Sequence, residues 1–92
     1  DIYKIIYKLD REFFDRVIHD PPTFKYAPEL YSIEFYKQLF RVMKKNGILY
    51  HYAPWPHRKG KPLYHKIIRN LKGAGFRNIK HSEKSSGVIA VK

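Results

Sequence analysis

Ile2, Ile5, Ile6 and Leu9 recur at i, i+3, i+4 and i+7, the spacing of one helix face, and Asp1 stands where an N-cap belongs. The period then changes. Phe14–His19 has β-branched Val17 and Ile18 at its centre and stops at Asp20-Pro21-Pro22, which predicts a short strand running into a rigid loop. A second helix is expected after Pro28, with Ser32 as cap, Glu34 in the first turn, and Ile33, Tyr36, Phe40 and Met43 on one face. Lys44 and Lys45 suit the negative end of its dipole, and Asn46-Gly47 reads as its stop signal.

Ile48–Tyr52 then reads as a buried strand, and the proline-rich stretch 53–62 as a loop. Pro62 is suited to the first position of a third helix, striped by Leu63, Ile67, Ile68, Leu71 and Ala74 and ended by Gly73 and Gly75. Phe76–His81 and Val88–Lys92 read as two strands joined by a Ser85-Ser86-Gly87 turn. This alternation predicts an α/β sheet, parallel through the middle, with an antiparallel terminal hairpin. The first strand is left with an unprotected edge, as in half of a larger sheet.

Composition narrows the class. The 92 residues allow one domain at most, and without cysteine there is neither a disulfide framework nor a cysteine-ligated zinc site. No apolar run approaches the ~20 residues of a membrane span, so no membrane role is expected. A soluble, cytoplasmic, reducing-compartment domain fits these limits. The five histidines show no ligand spacing, so no metal is expected.

Charge changes the picture more. The formal net charge is +11, and its distribution is uneven. From Asp1 to Glu34 there are seven acids against five Lys or Arg, whereas Phe35 to Ser82 holds twelve Lys or Arg and no acid. A face built from that stretch suits an anionic partner such as RNA.

The run Phe14-Asp15-Arg16-Val17-Ile18-His19-Asp20-Pro21-Pro22 resembles the fourth motif of class I S-adenosylmethionine-dependent methyltransferases. The segment from Tyr31 through Val42-Met43-Lys44-Lys45-Asn46-Gly47-Ile48-Leu49 resembles the following helix, turn and fifth strand, and Leu71-Lys72-Gly73-Ala74-Gly75-Phe76 the turn into the sixth. Asp-Pro-Pro-Thr-Phe with Glu-Leu-Tyr-Ser after it is most similar to an archaeal group of predicted methyltransferases on the spermidine-synthase-like branch. The resemblance covers the whole chain and implies the carboxyl-terminal half of one Rossmann-like domain, 1–92. Asp1 then matches the acidic residue beside the cofactor adenine. The Gly-rich loop and the ribose-binding acid would belong to an amino-terminal half.

Under this resemblance Asp1, Ile2 and Asp20 are the expected cofactor residues for S-adenosylmethionine, and Asp20, Pro21, Pro22 and Phe24 the expected catalytic ones. Methyl transfer from a sulfonium needs positioning and a hydrogen-bond acceptor rather than covalent help. The Asp20 carboxylate and the Pro21 carbonyl are both acceptors, on a segment that proline stiffens. Thr23 separates the Pro-Pro pair from the Phe24 ring, unlike the usual nucleic-acid amine methyltransferases, which leaves the acceptor atom open. His51, Tyr52, Trp55, Arg58, Lys59 and Lys61 are the expected substrate contacts, a basic stretch interleaved with rings. The partners expected are thus RNA or another anionic substrate, the amino-terminal half, and in some states a second copy of the chain. An aminopropyltransferase of polyamine synthesis is the alternative enzyme, although a cationic amine calls for acids that 35–82 lacks. A non-catalytic basic nucleic-acid-binding module is the alternative from another class.

Overall fold

A computed structural model of the protein describes residues 2–22, 24–53, 61–82 and 86–92. The first apolar stripe forms one helical turn, α1 (Ile2–Ile5), which tightens into a 3-10 turn over Ile6–Lys8. Of its predicted face only Ile6 is fully buried, while Ile2 and Ile5 stay about half exposed. Arg41 fastens this segment: its guanidinium donates to the carbonyls of Leu9 and Ile6, both at 2.9 Å, and to Gln38 Oε1 at 2.8 Å.

β1 (Phe14–His19) lies where the β-branched pattern placed it. After a 3-10 turn at Pro28–Tyr31, α2 (Ile33–Val42) starts at Ser32, whose Oγ accepts from the Phe35 N–H at 3.2 Å and donates to the Glu29 carbonyl at 2.7 Å. The buried face is Phe35, Tyr36, Leu39 and Val42, so the expected face is rotated in part: Tyr36 stays on it, Ile33 and Phe40 are half-buried beside it, and Met43 is buried as the first residue of the next strand. Two packing partners explain the rotation. The first set faces the core, while Ile33 and Phe40 turn toward α3 (Lys61–Ala74). A Cβ on Gly73 would come within 2.7 Å of Ile33 Cδ1, so the glycine lets the helices approach there.

The boundary after α2 departs from expectation. The helix ends at Val42, where the Glu12 and Phe13 N–H groups take the carbonyls of Arg41 and Val42 at 2.8 Å. β2 (Met43–Tyr52) begins at once, so Asn46-Gly47 is a bulge inside a strand and not a helix stop. Asn46 sits at φ 66°, and the register slips between Phe14↔Met43 and Arg16↔Ile48. Lys44 and Lys45 therefore lie on the strand, and Arg41 takes the last helical turn.

α3 buries Tyr64, Ile67 and Leu71 and ends before Gly75, whose φ of 116° suits glycine, whereas Gly73, also expected to end it, lies inside the helix. β3 (Arg77–Ser82) and β4 (Gly87–Val91) form the expected hairpin. The strand order is β1-β2-β4-β3, parallel between β1 and β2 and antiparallel elsewhere. Among the described residues, parallel pairing is thus confined to one pair, since β4 separates β2 from β3. Val17, Leu49 and Ala90 share one sheet face with His19, His51 and Val88, and that face meets the core. On the opposite face Ile18, Ile48 and Ile89 remain exposed, Ile18 by 77%.

Among the described residues, no helix is long and apolar enough to cross a membrane, and no group of three or more His, Asp or Glu could hold a metal ion.

Candidate functional site

The parallel pair fixes the site. β1 and β2 end side by side, with His19 opposite His51, and the chain leaves β1 directly into Asp20-Pro21-Pro22. Open α/β sheets bind ligands at this carboxyl edge, where loops replace strand pairing. Asp20 and Pro22 are exposed, and Pro21 is half-buried. Tyr31, at the start of α2's approach, donates its hydroxyl to the Pro22 carbonyl at 2.7 Å.

Beneath the loop lies a buried polar cluster. His19 is 7% exposed, Tyr31 2%, and Tyr36 and His51 not at all. A carbonyl only accepts, so His19 Nε2–H donates to Leu30 at 2.8 Å, and His51 Nδ1–H donates to Tyr52 at 3.2 Å. Burial keeps the His51 ring neutral, so with Nδ1 protonated its Nε2 is bare and accepts from the Tyr36 hydroxyl at 2.8 Å. The rings of His19 and His51 stand 4.6 Å apart between centroids.

The surroundings hold both rings in their uncharged form. Burial lowers the His51 pKa to about 3, helped by the neighbouring His19, and burial lowers His19 as well. The Leu30 carbonyl and the Asp20 carboxylate act in the opposite direction on His19. Burial, and then the Asp20 charge, push the Tyr31 hydroxyl up to about 12; burial raises Tyr36 too. Both phenols are therefore donors at any ordinary pH.

The expected site residues fall into three groups. Asp20, Pro21 and Pro22 stand together at the edge, with Phe24 beside them, half-buried. Phe24 meets Tyr31 edge-on at 5.5 Å and carries the Lys66 ammonium over its ring at 4.3 Å. Ile2 and His19 line one cavity of about 270 Å³ along β1, together with Phe14, Val17 and Phe35. His51, expected as a substrate contact, is fully buried, with Nε2 bonded to the Tyr36 hydroxyl and Nδ1 to the Tyr52 carbonyl. Tyr52 is 37% exposed, on the sheet face away from the core. Asp1, Trp55, Arg58 and Lys59 lie outside the described residues, as does the side chain of Lys61.

Sequence reasoning missed His19, Tyr31 and Tyr36. The available signal was parity, because Val17 and His19 alternate with Arg16 and Ile18, and Leu49 and His51 with Ile48 and Tyr50. With apolar residues on both faces, that alternation did not say which face was inside.

No protein-family model matches the chain. Along its whole length it is 48% identical to an uncharacterized protein, MJ1233, of Methanocaldococcus jannaschii, of which it spans 33%. Among solved structures it resembles a proposed DNA modification methylase of Thermus thermophilus in complex with S-adenosyl-L-methionine. The TM-score is 0.67 at 17% identity, over 99% of this chain and 51% of that one. A candidate exported protein of Bordetella parapertussis gives 0.66 at 17% identity, over 95% of this chain and 42% of that one. The chain thus spans about half or less of the proteins it resembles. Its mixed sheet and flanking helices have a methyltransferase-like fold.

Proposed function

We propose that this chain forms the acceptor-side half of an S-adenosylmethionine-dependent methyltransferase acting on RNA. One observation carries the reading: Asp20-Pro21-Pro22 stands at the carboxyl end of β1, in a sheet of the same build as one seen with that cofactor. The described residues fit one side of the cofactor, with Ile2 as an exposed apolar wall and Asp20 as an acceptor at the same strand end. When bound, S-adenosylmethionine supplies a methyl group on a sulfonium, transferred by in-line displacement. The Asp20 carboxylate would accept a hydrogen bond from the N–H or O–H of the acceptor, turn its lone pair toward the methyl, and pass to water the proton that the acceptor loses as the sulfonium leaves as a neutral thioether. Pro21 and Pro22 restrict the backbone and add no N–H to compete for the acceptor. Phe24 and Lys66 supply a ring and a cation next to the loop, a combination suited to nucleobases and phosphates.

The amino-terminal half is the proposed partner within the same protein. Ile18, Ile48 and Ile89 form an apolar patch on the uncovered sheet face, and sheets with parallel strands are ordinarily covered on both faces. MJ1233, about three times as long as this chain, has the residues for such a cover.

The test is calorimetric titration of S-adenosylmethionine into the full-length protein, followed by transfer of labelled methyl to RNA. Absence of cofactor affinity would remove the methyltransferase reading. Asp20→Ala is expected to abolish transfer with an unchanged circular dichroism spectrum, and full turnover in that variant would remove Asp20 from the site.

A further inference from the structure

Two side-chain bonds that cross join the described residues at the two ends of the loop between His19 and Tyr31. The residue before it, His19, bonds the carbonyl of its last residue, Leu30, at 2.8 Å. The residue after it, Tyr31, bonds the carbonyl of Pro22 near its start, at 2.7 Å. Each end of the loop is thereby gripped by the opposite end's neighbour. From α3, Asn70 Nδ2 holds the Tyr31 carbonyl at 3.1 Å, which anchors the arrangement to the body of the fold.

We propose that His19 and Tyr31 are positioning residues that latch the Asp20-Pro21-Pro22 segment in place, and that proton uptake by His19 releases the latch. The role of the segment rests on the methyltransferase reading; the latch itself does not.

The groups facing His19 come from every side. Phe35 of α2 packs at 5.0 Å, Tyr36 edge-on at 6.5 Å and His51 of β2 at 4.6 Å, between ring centroids. The Leu30 carbonyl takes its N–H, and Asp20 is the acid whose charge it feels. The closed site thus disfavours the imidazolium, burial outweighing the carbonyl and the carboxylate. With the loop open the ring meets water and titrates near the ordinary value of about 6.5. Opening then gains up to about tenfold for each pH unit below that value, until the closed form also takes up the proton. His51 sits deeper, with its pKa at about 3, and stays neutral as the wall behind the latch.

Hydrogen exchange of the full-length protein, corrected for intrinsic rates and followed by peptides from pH 7.5 to 5.0, tests this. Segment 20–30 is expected to lose protection relative to α3 as the pH falls below about 6.5. His19→Gln, which keeps an amide donor for Leu30 but cannot titrate, should hold its protection across the range. Tyr31→Phe should lower protection at every pH by a constant factor and leave the slope unchanged, which keeps the test open if His19→Gln fails to fold. A loop that opens only in step with α3, or a slope that survives in His19→Gln, would overturn the latch. S-adenosylmethionine titration on the same samples separates the two readings. Without cofactor affinity the methyltransferase proposal fails, while a pH-dependent loop still establishes the latch.

Discussion

His19 and His51 face each other across the parallel β1–β2 pair, ring centroids 4.6 Å apart, with both rings buried. Among the described residues, no carboxylate is bonded to either ring, so burial favours the uncharged pair.

That arrangement fixes the sign of a pH effect. Both folded-state pKa values lie below the free value of about 6.5, so the unfolded chain binds protons first as pH falls. The contribution of the pair is complete above pH 6.5 and declines below it, until the pH reaches each folded-state value. Each histidine that titrates only on unfolding lowers stability by up to about 1.4 kcal/mol per pH unit in that window. Urea unfolding at pH 7.5 and pH 5 should show the loss, and His51→Gln should reduce it. Equal midpoints at the two pH values in the unmodified protein would contradict it.

The Tyr36–His51 bond makes a sharper prediction. Tyr36→Phe deletes one oxygen and leaves the buried Nε2 of His51 without a donor, a loss of about 1–3 kcal/mol. His51→Leu strands the Tyr36 hydroxyl in the same way. The double variant buries neither group unpaired and should cost less than the two singles added together. Denaturant midpoints across the four proteins give the coupling, and strict additivity would show that the bond contributes nothing.

How far these relationships were legible from sequence depends on their range. Ser32 as a cap, Asp20-Pro21-Pro22 as a strand terminator and Gly75 as a helix stop are local chemistry, and each stands where the pattern puts it. The end of α2 was misread because Asn46-Gly47 carries the same φ-permissive signal in a bulge as in a helix cap. What ends the helix early is a contact from Glu12 and Phe13, some thirty residues upstream. The polar cluster joins residues 19, 31, 36 and 51, and depends on the register that sets His19 against His51. No local period encodes that register. The expected place of His51 at the substrate surface follows from its position near a strand end, while the parity of β2 turns its ring into the core.

Arg41 is a polar tie between the segment that follows α1 and the body of the fold. Its planar fork reaches the Leu9 and Ile6 carbonyls together while Nε engages Gln38, a geometry that a lysine ammonium does not reproduce. Arg41→Lys should therefore cost about 1–2 kcal/mol although charge is kept. Hydrogen exchange should rise first at 2–9, with α3 little changed. Equal protection of that segment would mean that apolar contact, through Ile6 and the stacking of Tyr3 on Phe35, holds it.

The acid-free stretch gives the proposed RNA acceptor its own test. Arg69 and Lys72 are exposed on α3, one and two turns beyond the Lys66 that overlies Phe24, so they extend a basic track away from the loop. Neither is expected to touch the cofactor. If RNA phosphates follow this track, replacing both by Gln weakens RNA binding by the full-length protein and makes its salt dependence shallower. On single strands the slope of log affinity against log salt changes by about 0.7 per lost phosphate contact, hence by roughly 1.4 for the pair. Filter binding from 50 to 300 mM salt measures that slope, and S-adenosylmethionine affinity should be unchanged. An unaltered slope with intact RNA binding would move the interface off α3, while RNA affinity absent at all salt concentrations would remove RNA as the acceptor and leave the Asp20 site for a smaller substrate.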